Sequence, residues 1–403
     1  MKRIYSFFAA MFVMASVSIP VSADITGNGF YRVRNYGTTR WANMVDNKGA
    51  IDENATSADL HSLELLKDTE TIFSDPGSVV YITALGNYEY DVAAQGTSIQ
   101  SLLGYAVYLR SDGVDEDGEA LYRIYGKYNG YTRYIADGQN VASKNEGQAT
   151  INVSNTNANN VKWYILPVEA SSDNYFGPKP TVKVGGKMYN PLYASFAYTP
   201  YSEGVKVYYI GRVGNGMAEM IEISGTVPPG TPVIFECAGE ETEDNKVQVE
   251  VSDSELTGNS LKGVYFNFKN NGQANQTAYN PKTMRILGEC SDGSLGFITS
   301  NISYIPANSS YLVVPEGSPE EIKCVTTAEY DAGVAGVKTI SCENVDLSYS
   351  NGIVTTGQPV IITVTNMGGQ TVAKSTDGKL DLKNLAKGIY IVTAGNKTLK
   401  VVR

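Results

Sequence analysis

The sequence predicts an all-β protein, and three features of the chain carry that prediction. It contains 28 tyrosines and 40 glycines among 403 residues. Short runs of Val, Ile, Thr and Tyr recur along its whole length, and Gly, Asn or Pro separates them. β-Branched and aromatic residues favour strands, whereas Gly, Asn and Pro favour the turns between strands. The length suggests two or three domains, so we expect several β domains joined by short linkers.

The amino terminus has the pattern of a secretory signal peptide. Met1-Lys2-Arg3 is basic, residues 4–17 are apolar, and Val21-Ser22-Ala23 provides a small-x-small cleavage site. The apolar segment is short for a membrane span, which makes an uncleaved anchor the weaker alternative. We therefore expect residues 1–23 to be removed, which leaves Asp24 first and a mature chain without a membrane span.

The charge of the chain argues against two classes of partner. Removal of residues 1–23 lowers the Lys and Arg count from 32 to 30 against 42 acidic residues, which gives a net charge of −12. Nucleic acids and anionic membranes both bind more tightly to proteins with clustered Lys and Arg. Neither is therefore an expected partner.

The four cysteines lie in the second half of the chain, at Cys237, Cys290, Cys324 and Cys342. Export permits disulfides, and four cysteines allow three pairings that the sequence does not distinguish. The chain has no Cys-x-x-Cys motif, so a zinc site is not expected. We favour mostly buried, small apolar cysteines, and leave a single bridge open.

Residues 24–170 contain three similar strand pairs, each with a Gly or Asn turn and an aromatic second strand. The pairs start at residues 30, 79 and 121. Each pair can bury its apolar face only against its copies, which predicts a pseudo-threefold domain. This segment resembles the ricin-type β-trefoil family, whose members commonly bind sugars. The family's Gln-x-Trp motif is not reproduced, since its nearest trace is Val161-Lys162-Trp163-Tyr164, so the family's binding residues are not transferred.

A helix is expected inside this domain, at residues 57–66, where apolar residues fall at helical spacing after a capping signal. Aromatic residues that follow the repeat turns are the candidate ligand contacts, because aromatic rings stack on the apolar faces of sugars. Arg40 and Asp137 are further candidates for binding sugar hydroxyls. Burial in the core is the alternative for the aromatic residues. The candidate binding residues are Trp41, Tyr88, Tyr90, Tyr131, Tyr134 and Arg133.

Catalytic and metal sites have weaker support. His61 is the only histidine, and no nucleophile motif lies beside it. We therefore expect His61 to be a surface or packing residue. The acidic loop Asp112–Glu119 resembles a calcium loop but lacks the EF-hand spacing, and a solvated hairpin tip is the alternative. A carboxylate pair for glycoside hydrolysis stays open, because such residues can meet across distant strands. No cofactor or metal is expected.

A second β domain is expected at residues 181–327, after a linker of Ser, Asn, Gly and Pro at residues 171–180. Eight apolar runs between residues 192 and 315 are separated by turn signals, which predicts a central β-sandwich or open barrel. Residues 332–403 then predict a small C-terminal β-sandwich, whose closing hairpin turns at Gly395-Asn396. We expect this hairpin to bury Ile389, Ile391, Leu399 and Val401, with Lys397 and Lys400 outside.

This last segment contains Asn366-Met367-Gly368-Gly369-Gln370 and Gly388-Ile389-Tyr390-Ile391-Val392. Through these motifs it resembles the C-terminal sorting domain of the type IX secretion system, found in the Bacteroidetes. Asn366-Met367-Gly368-Gly369-Gln370 supports the resemblance, whereas the Pro-Asn-Pro that often opens such domains is absent near residues 344–350. The resemblance implies the type IX secretion machinery as a partner, and delivery to the cell surface or secretion. The motif residues are Gly388, Ile389, Tyr390, Ile391, Val392, Lys400 and Val401.

The sequence therefore supports an exported, non-catalytic protein that binds glycan or protein through its first domain. A secreted hydrolase with a carboxylate pair and a purely structural surface protein are the alternatives. The ligand and the oligomeric state are open.

Overall fold

The computed structural model describes residues 25, 28–48, 59–103, 106–128, 130–138, 142–154, 157–270, 273–335, 345–357, 359–395 and 397–403. The predicted signal peptide and Cys342 lie outside these residues. The chain forms two compact units, Met1–Tyr330 and Asp331–Arg403. The described residues contain 32 strands and only three short α-helices, so the prediction of an all-β fold is confirmed.

An 11-stranded antiparallel sheet occupies the first part of the first unit. Its hydrogen-bonded order is β11-β1-β2-β3-β10-β9-β8-β7-β5-β4, β6 pairs with β5, and further β1–β4 and β11–β8 pairings close the sheet on itself. Two short helices, α1 (Thr69–Ser74) and α2 (Ile99–Leu103), interrupt it. The strands are β1 (Gly29–Asn35), β2 (Trp41–Met44), β3 (Asp59–Leu66), β4 (Val80–Gly86), β5 (Glu89–Ala94), β6 (Thr97–Ser98), β7 (Val107–Val114), β8 (Ala120–Tyr128), β9 (Tyr131–Asp137), β10 (Glu146–Val153) and β11 (Lys162–Pro167).

The expected helix at residues 57–66 is wrong, because its described part, Asp59–Leu66, is strand β3. This strand pairs with β2 on one side and β10 on the other. Its two faces are both partly covered, with Leu60, Leu63 and Leu65 buried. A strand covered on both faces carries apolar residues without strict alternation, and here that pattern imitates the spacing of a helix.

A second group of strands covers residues 182–325. Ten of them form a sheet in the order β12-β13-β17-β15-β16-β25-β23-β22-β24-β19, while β14 pairs with β18 and β20 with β21. The strands are β12 (Val182–Val184), β13 (Lys187–Asn190), β14 (Ala197–Pro200), β15 (Lys206–Gly214), β16 (Met217–Glu222), β17 (Ile234–Cys237), β18 (Val247–Glu250), β19 (Leu261–Val264), β20 (Phe268–Asn270), β21 (Gln273–Asn275), β22 (Met284–Glu289), β23 (Leu295–Ile298), β24 (Ser309–Val313) and β25 (Glu321–Val325).

Buried polar contacts join these two groups of strands within the first unit. Arg32 on β1 is fully buried, and its guanidinium donates to Asn174 Oδ1 at 2.9 Å and to the Tyr175 carbonyl at 2.6 Å. Asn308 from the second group donates its side-chain amide to Asp75 Oδ1 at 2.8 Å. The two groups of strands are therefore joined at the predicted linker and also through Asp75, directly after α1, and both belong to one compact unit.

The second unit contains two small sheets, which follow the helix α3 (Thr327–Ala335). One has the order β26-β27-β30 and the other β29-β28-β31-β32. Their shared core includes Val354, Val364, Leu382 and Val392, which are all fully buried. The strands are β26 (Ser348–Ser350), β27 (Ile353–Thr355), β28 (Ile362–Asn366), β29 (Thr371–Ser375), β30 (Lys379–Asp381), β31 (Ile389–Ala394) and β32 (Lys397–Val402).

Candidate functional site

Three tyrosines form a continuous row across strands β7, β8 and β9. Tyr108 lies directly opposite Tyr125, and Tyr125 lies directly opposite Tyr134. Residues opposite each other in antiparallel strands share a face of the sheet. The Tyr108 and Tyr125 rings stack with centroids 5.2 Å apart, and the Tyr125 and Tyr134 centroids are 5.7 Å apart. We call Tyr108, Tyr125 and Tyr134 the tyrosine row.

The tyrosine row lies on the outer face of the sheet. The residues that alternate with the row, Val107, Leu109, Ile124 and Ile135, are buried in the hydrophobic core. Successive side chains on a strand point to opposite faces. The three tyrosines are only half-buried, so their rings contribute aromatic surface on the solvent side.

Charged and polar side chains border the tyrosine row on the same face. In the strand register, Arg110 lies opposite Arg123 and Lys127 lies opposite Thr132. Lys127 Nζ donates to Thr132 Oγ1 at 3.0 Å, and Glu89 on β5 lies opposite the first tyrosine of the row. The outer face therefore combines an aromatic centre with hydrogen-bond donors and acceptors.

Two of the predicted aromatic contacts belong to the core, which corrects the expectation for them. Trp41 is 7% exposed and Tyr90 is 6% exposed. The Arg34 guanidinium stacks on Trp41, 5.2 Å from the ring centroid. The Tyr90 hydroxyl donates to the Ile25 carbonyl at 2.6 Å. Both rings are covered by protein and have no face available for a ligand.

The other predicted residues lie at the surface. Tyr88 is 49% exposed and Tyr131 is 64% exposed. Arg110 lies over the Tyr88 ring and Arg133 over the Tyr131 ring, at 5.7 and 5.1 Å from the centroids. Tyr131 and Arg133 alternate with the residues of the tyrosine row, so the row incorporates Tyr134 and not this pair.

Arg40 and Asp137 are also unsuited to contact a ligand. Their side chains form an ion pair with no exposed surface. The Thr38 hydroxyl donates to Asp137 Oδ2 at 2.7 Å, and Arg40 Nε donates to the Lys144 carbonyl at 3.1 Å. The pair therefore links β2, β9 and the segment before β10, which is a structural role.

In the acidic loop at residues 112–119, the carboxylate of Asp115 has a structural role. Asp115 Oδ1 accepts the backbone N–H groups of Asp117 and Glu119 at 3.0 and 2.8 Å. Asp115 Oδ2 accepts the Tyr164 hydroxyl at 2.6 Å, and this hydrogen bond lowers the pKa of Asp115. Burial, followed by the same hydrogen bond, raises the pKa of Tyr164. Across the described ranges, no group of three or more His, Cys, Asp or Glu side chains has the arrangement of a metal site.

Three of the four cysteines lie in the described residues, and all three are free thiols: Cys237, Cys290 and Cys324. Burial raises the pKa of Cys237 to about 12 and raises the pKa of the other two. A protonated thiol is a poor nucleophile. These residues therefore act as small core side chains.

Tyr108 and Tyr125 were not among the binding residues predicted from the sequence. A signal for both was present, because each alternates with apolar residues, in Val107-Tyr108-Leu109 and in Ile124-Tyr125-Gly126. That alternation places a tyrosine on the face opposite the core. Only the strand register shows that the two tyrosines are neighbours.

Comparison with protein families identifies the second unit. Residues 343–403 match the family model of the secretion system C-terminal sorting domain. The match confirms the predicted sorting domain and implies handling by the type IX secretion machinery. It therefore indicates an exported protein that is secreted or held at the cell surface.

Two solved structures show distant likenesses. The designed three-fold symmetric protein ThreeFoil is 14% identical, with 35% of this chain and 99% of that chain covered and a TM-score of 0.23. A mosquitocidal holotoxin is 12% identical, with 93% and 44% covered and a TM-score of 0.21. Neither score is high enough to support an argument. A comparison with curated proteins finds no match.

The expectation that the mature chain has no membrane span is tested here for helices. Among the residues that the structure describes, no helix has both the length and the apolar character needed to cross a bilayer.

Proposed function

We propose that this exported protein binds glycans through the tyrosine row of its first β domain, without catalysing a reaction. The observation that carries the proposal is the register of β7, β8 and β9, which sets three partly exposed tyrosines side by side. Aromatic rings at a wet surface provide an apolar face together with a polar hydroxyl. A sugar ring has a matching apolar face, surrounded by hydroxyl groups.

The charged border of the row supports the same ligand class. Arg110 and Lys127 are exposed on the row's own face and supply hydrogen-bond donors. Glu89, which is half-buried beside the row, supplies an acceptor. Because the three tyrosines come from successive strands, an extended chain of sugars would lie across the strands, with each tyrosine contacting a neighbouring position.

The deciding experiment is a glycan array probed with the purified chain from residue 24, followed by calorimetry on the strongest ligand. We expect Y125A, which removes the central ring of the row, to weaken binding at least tenfold, or about 1.4 kcal/mol. Y201A is the matched control, because Tyr201 is an exposed tyrosine in the second group of strands.

Two results would contradict the proposal. One is a flat array, which would favour a structural surface protein. The other is equal glycan affinity in Y125A and Y201A, which would place the binding surface elsewhere. Circular dichroism of both variants checks that the fold is retained.

A further inference from the structure

Strand β31 carries apolar residues on both of its faces. Tyr390 and Val392 point into the core of the second unit, whereas Ile389 and Ile391 point away from it. A strand reads as a continuous apolar run when both of its faces are covered. Here only one face of β31 is covered, because Ile389 is 38% exposed and Ile391 is half-buried. The outer face therefore has the composition of a surface that packs against another molecule.

The neighbouring strands extend this apolar surface. Val402 on β32 lies directly opposite Ile389 and is 69% exposed, and directly opposite residues share a face of the sheet. Val372 on β29 is 38% exposed and precedes Ala373, which packs on the core. Alternation along the strand places Val372 on the outer side. We call the following residues the outer apolar face: Val372, Ile389, Ile391 and Val402.

The other sheet of this unit, β26-β27-β30, has a polar outer face. Its Tyr349, Val354 and Leu380 belong to the core cluster, so the residues that alternate with them point outward. Those outward residues are Ser348, Ser350, Ile353, Thr355, Lys379 and Asp381. Among them, Ile353 alone is apolar. Apolar character is therefore specific to one of the two outer faces and is not a general property of this small domain.

The charge beside the outer apolar face is positive. Lys400 lies opposite Ile391 and Lys374 lies opposite Thr363, which places both lysines on the outer side. Strands β28, β29, β31 and β32 contain no Asp or Glu, although the whole chain has a net charge of −10. Protein interfaces usually combine an apolar centre with a polar rim, and a basic rim favours a partner with acidic groups.

We propose that the outer apolar face is the surface by which a protein of the secretion machinery recognises the sorting domain. The match of residues 343–403 to the sorting-domain family implies handling by that machinery, and the machinery can contact only groups at the surface. This inference is independent of the proposed glycan binding. The motif residues then divide into a core set, Tyr390, Val392 and Val401, and a contact set, Ile389, Ile391 and Lys400.

A second copy of the chain fits the outer apolar face less well. In a symmetric dimer the same patch meets itself. Both sides would then bring lysines to the contact, and the strands of neither side would bring a carboxylate. Like charges that meet across an interface oppose association, so a different protein with acidic groups is the better partner.

The test changes the outer apolar face and leaves the core unchanged. I389T/I391T/V402T removes three apolar side chains, and threonine keeps the β-branching that favours strands. The full chain is expressed in a host with type IX secretion, and the cells are fractionated. We expect surface delivery to fall at least tenfold, with the protein retained in the periplasm. K400E should lower delivery at least threefold, because it reverses the charge beside the apolar face.

I353T is the matched control, because it makes the same kind of substitution on the outer face of the other sheet. It should be delivered at the wild-type level. Hydrogen exchange of the β28 and β31 amides in the purified chains checks that each variant keeps its fold. Lys400 is exposed, so K400E tests the same face even where the triple variant is unstable.

Wild-type surface delivery of both I389T/I391T/V402T and K400E would overturn the proposal, and so would an equal fall in I353T. Two further results would also overturn it. Sedimentation that shows a dimer of the wild-type chain and a monomer of the triple variant would assign the face to a second copy. Binding to phosphatidylglycerol vesicles that the triple variant loses would assign the face to a lipid surface.

Discussion

The ion pair between Arg40 and Asp137 shows how a charged residue can serve the fold rather than a ligand. Neither side chain has exposed surface. The cost of taking both charges out of water is offset only while the two remain together, and breaking such a pair costs about 3–5 kcal/mol. The pair therefore fixes the position of β9, the strand that carries Tyr134.

We predict that R40M lowers the free energy of unfolding by about 3–5 kcal/mol, because it leaves the Asp137 carboxylate buried without the guanidinium. Urea unfolding at pH 7 measures the loss. K183M is the control, because the Lys183–Glu240 pair is mostly exposed and is worth less than about 1 kcal/mol. Equal losses of unfolding free energy in R40M and K183M would show that the buried pair contributes no more to stability than the exposed pair does.

At the scale of the element, strand β31 corrects the sequence analysis. The expected burial of Ile389 and Ile391 is wrong, since Tyr390, Val392 and Ala394 are the buried residues of this strand. Shifting the phase of a strand by one residue exchanges its two faces. On β32 the expectation is confirmed for Val401, which is buried, and for Lys397 and Lys400, which are exposed.

Because alternate residues of β31 face the core, truncating adjacent residues of this strand should destabilise the domain by different amounts. V392A should destabilise the sorting domain by about 2 kcal/mol, since it leaves a space in the core. I391A should cost less than about 1 kcal/mol, because Ile391 is on the outer face. Hydrogen exchange of the β28 and β31 amides in the full chain measures both. A larger effect of I391A would show that the faces are reversed.

At the scale of the whole molecule, the two compact units separate the proposed binding surface from the sorting domain. The first unit contains the tyrosine row, and the second contains the sorting domain. A sorting signal must be recognised on any cargo, so it has to fold with a core of its own. The second unit has such a core.

We predict that deletion of Lys387–Arg403 stops delivery to the cell surface and leaves the chain in the periplasm. The deletion removes β31 and β32, two of the four strands in one sheet of the sorting domain. Expression in a host with type IX secretion, followed by cell fractionation, measures the result. Circular dichroism of the purified product should show that residues 24–330 stay folded. Surface delivery at the full-length level would contradict the prediction.

The sequence by itself determined the all-β class and the sorting domain. Both depend on local patterns: β-branched and aromatic runs between turn residues, and motifs such as Gly388-Ile389-Tyr390-Ile391-Val392. These patterns act over a few residues, so they can be recognised without knowing which strands pair.

Only the tertiary structure decided which residues form the candidate sites. Alternation shows that neighbouring side chains point to opposite faces, but it does not identify the face that packs on the core. Tyr90 became a core residue because the closed sheet surrounds it, and Trp41 became buried because Arg34 and Phe73 pack on its ring. Tyr108 and Tyr125 became neighbours through the pairing of β7 with β8. The outer apolar face of the sorting domain exists because β29 and β31 both pair with β28. Such contacts depend on the register of the whole sheet, which no local pattern specifies.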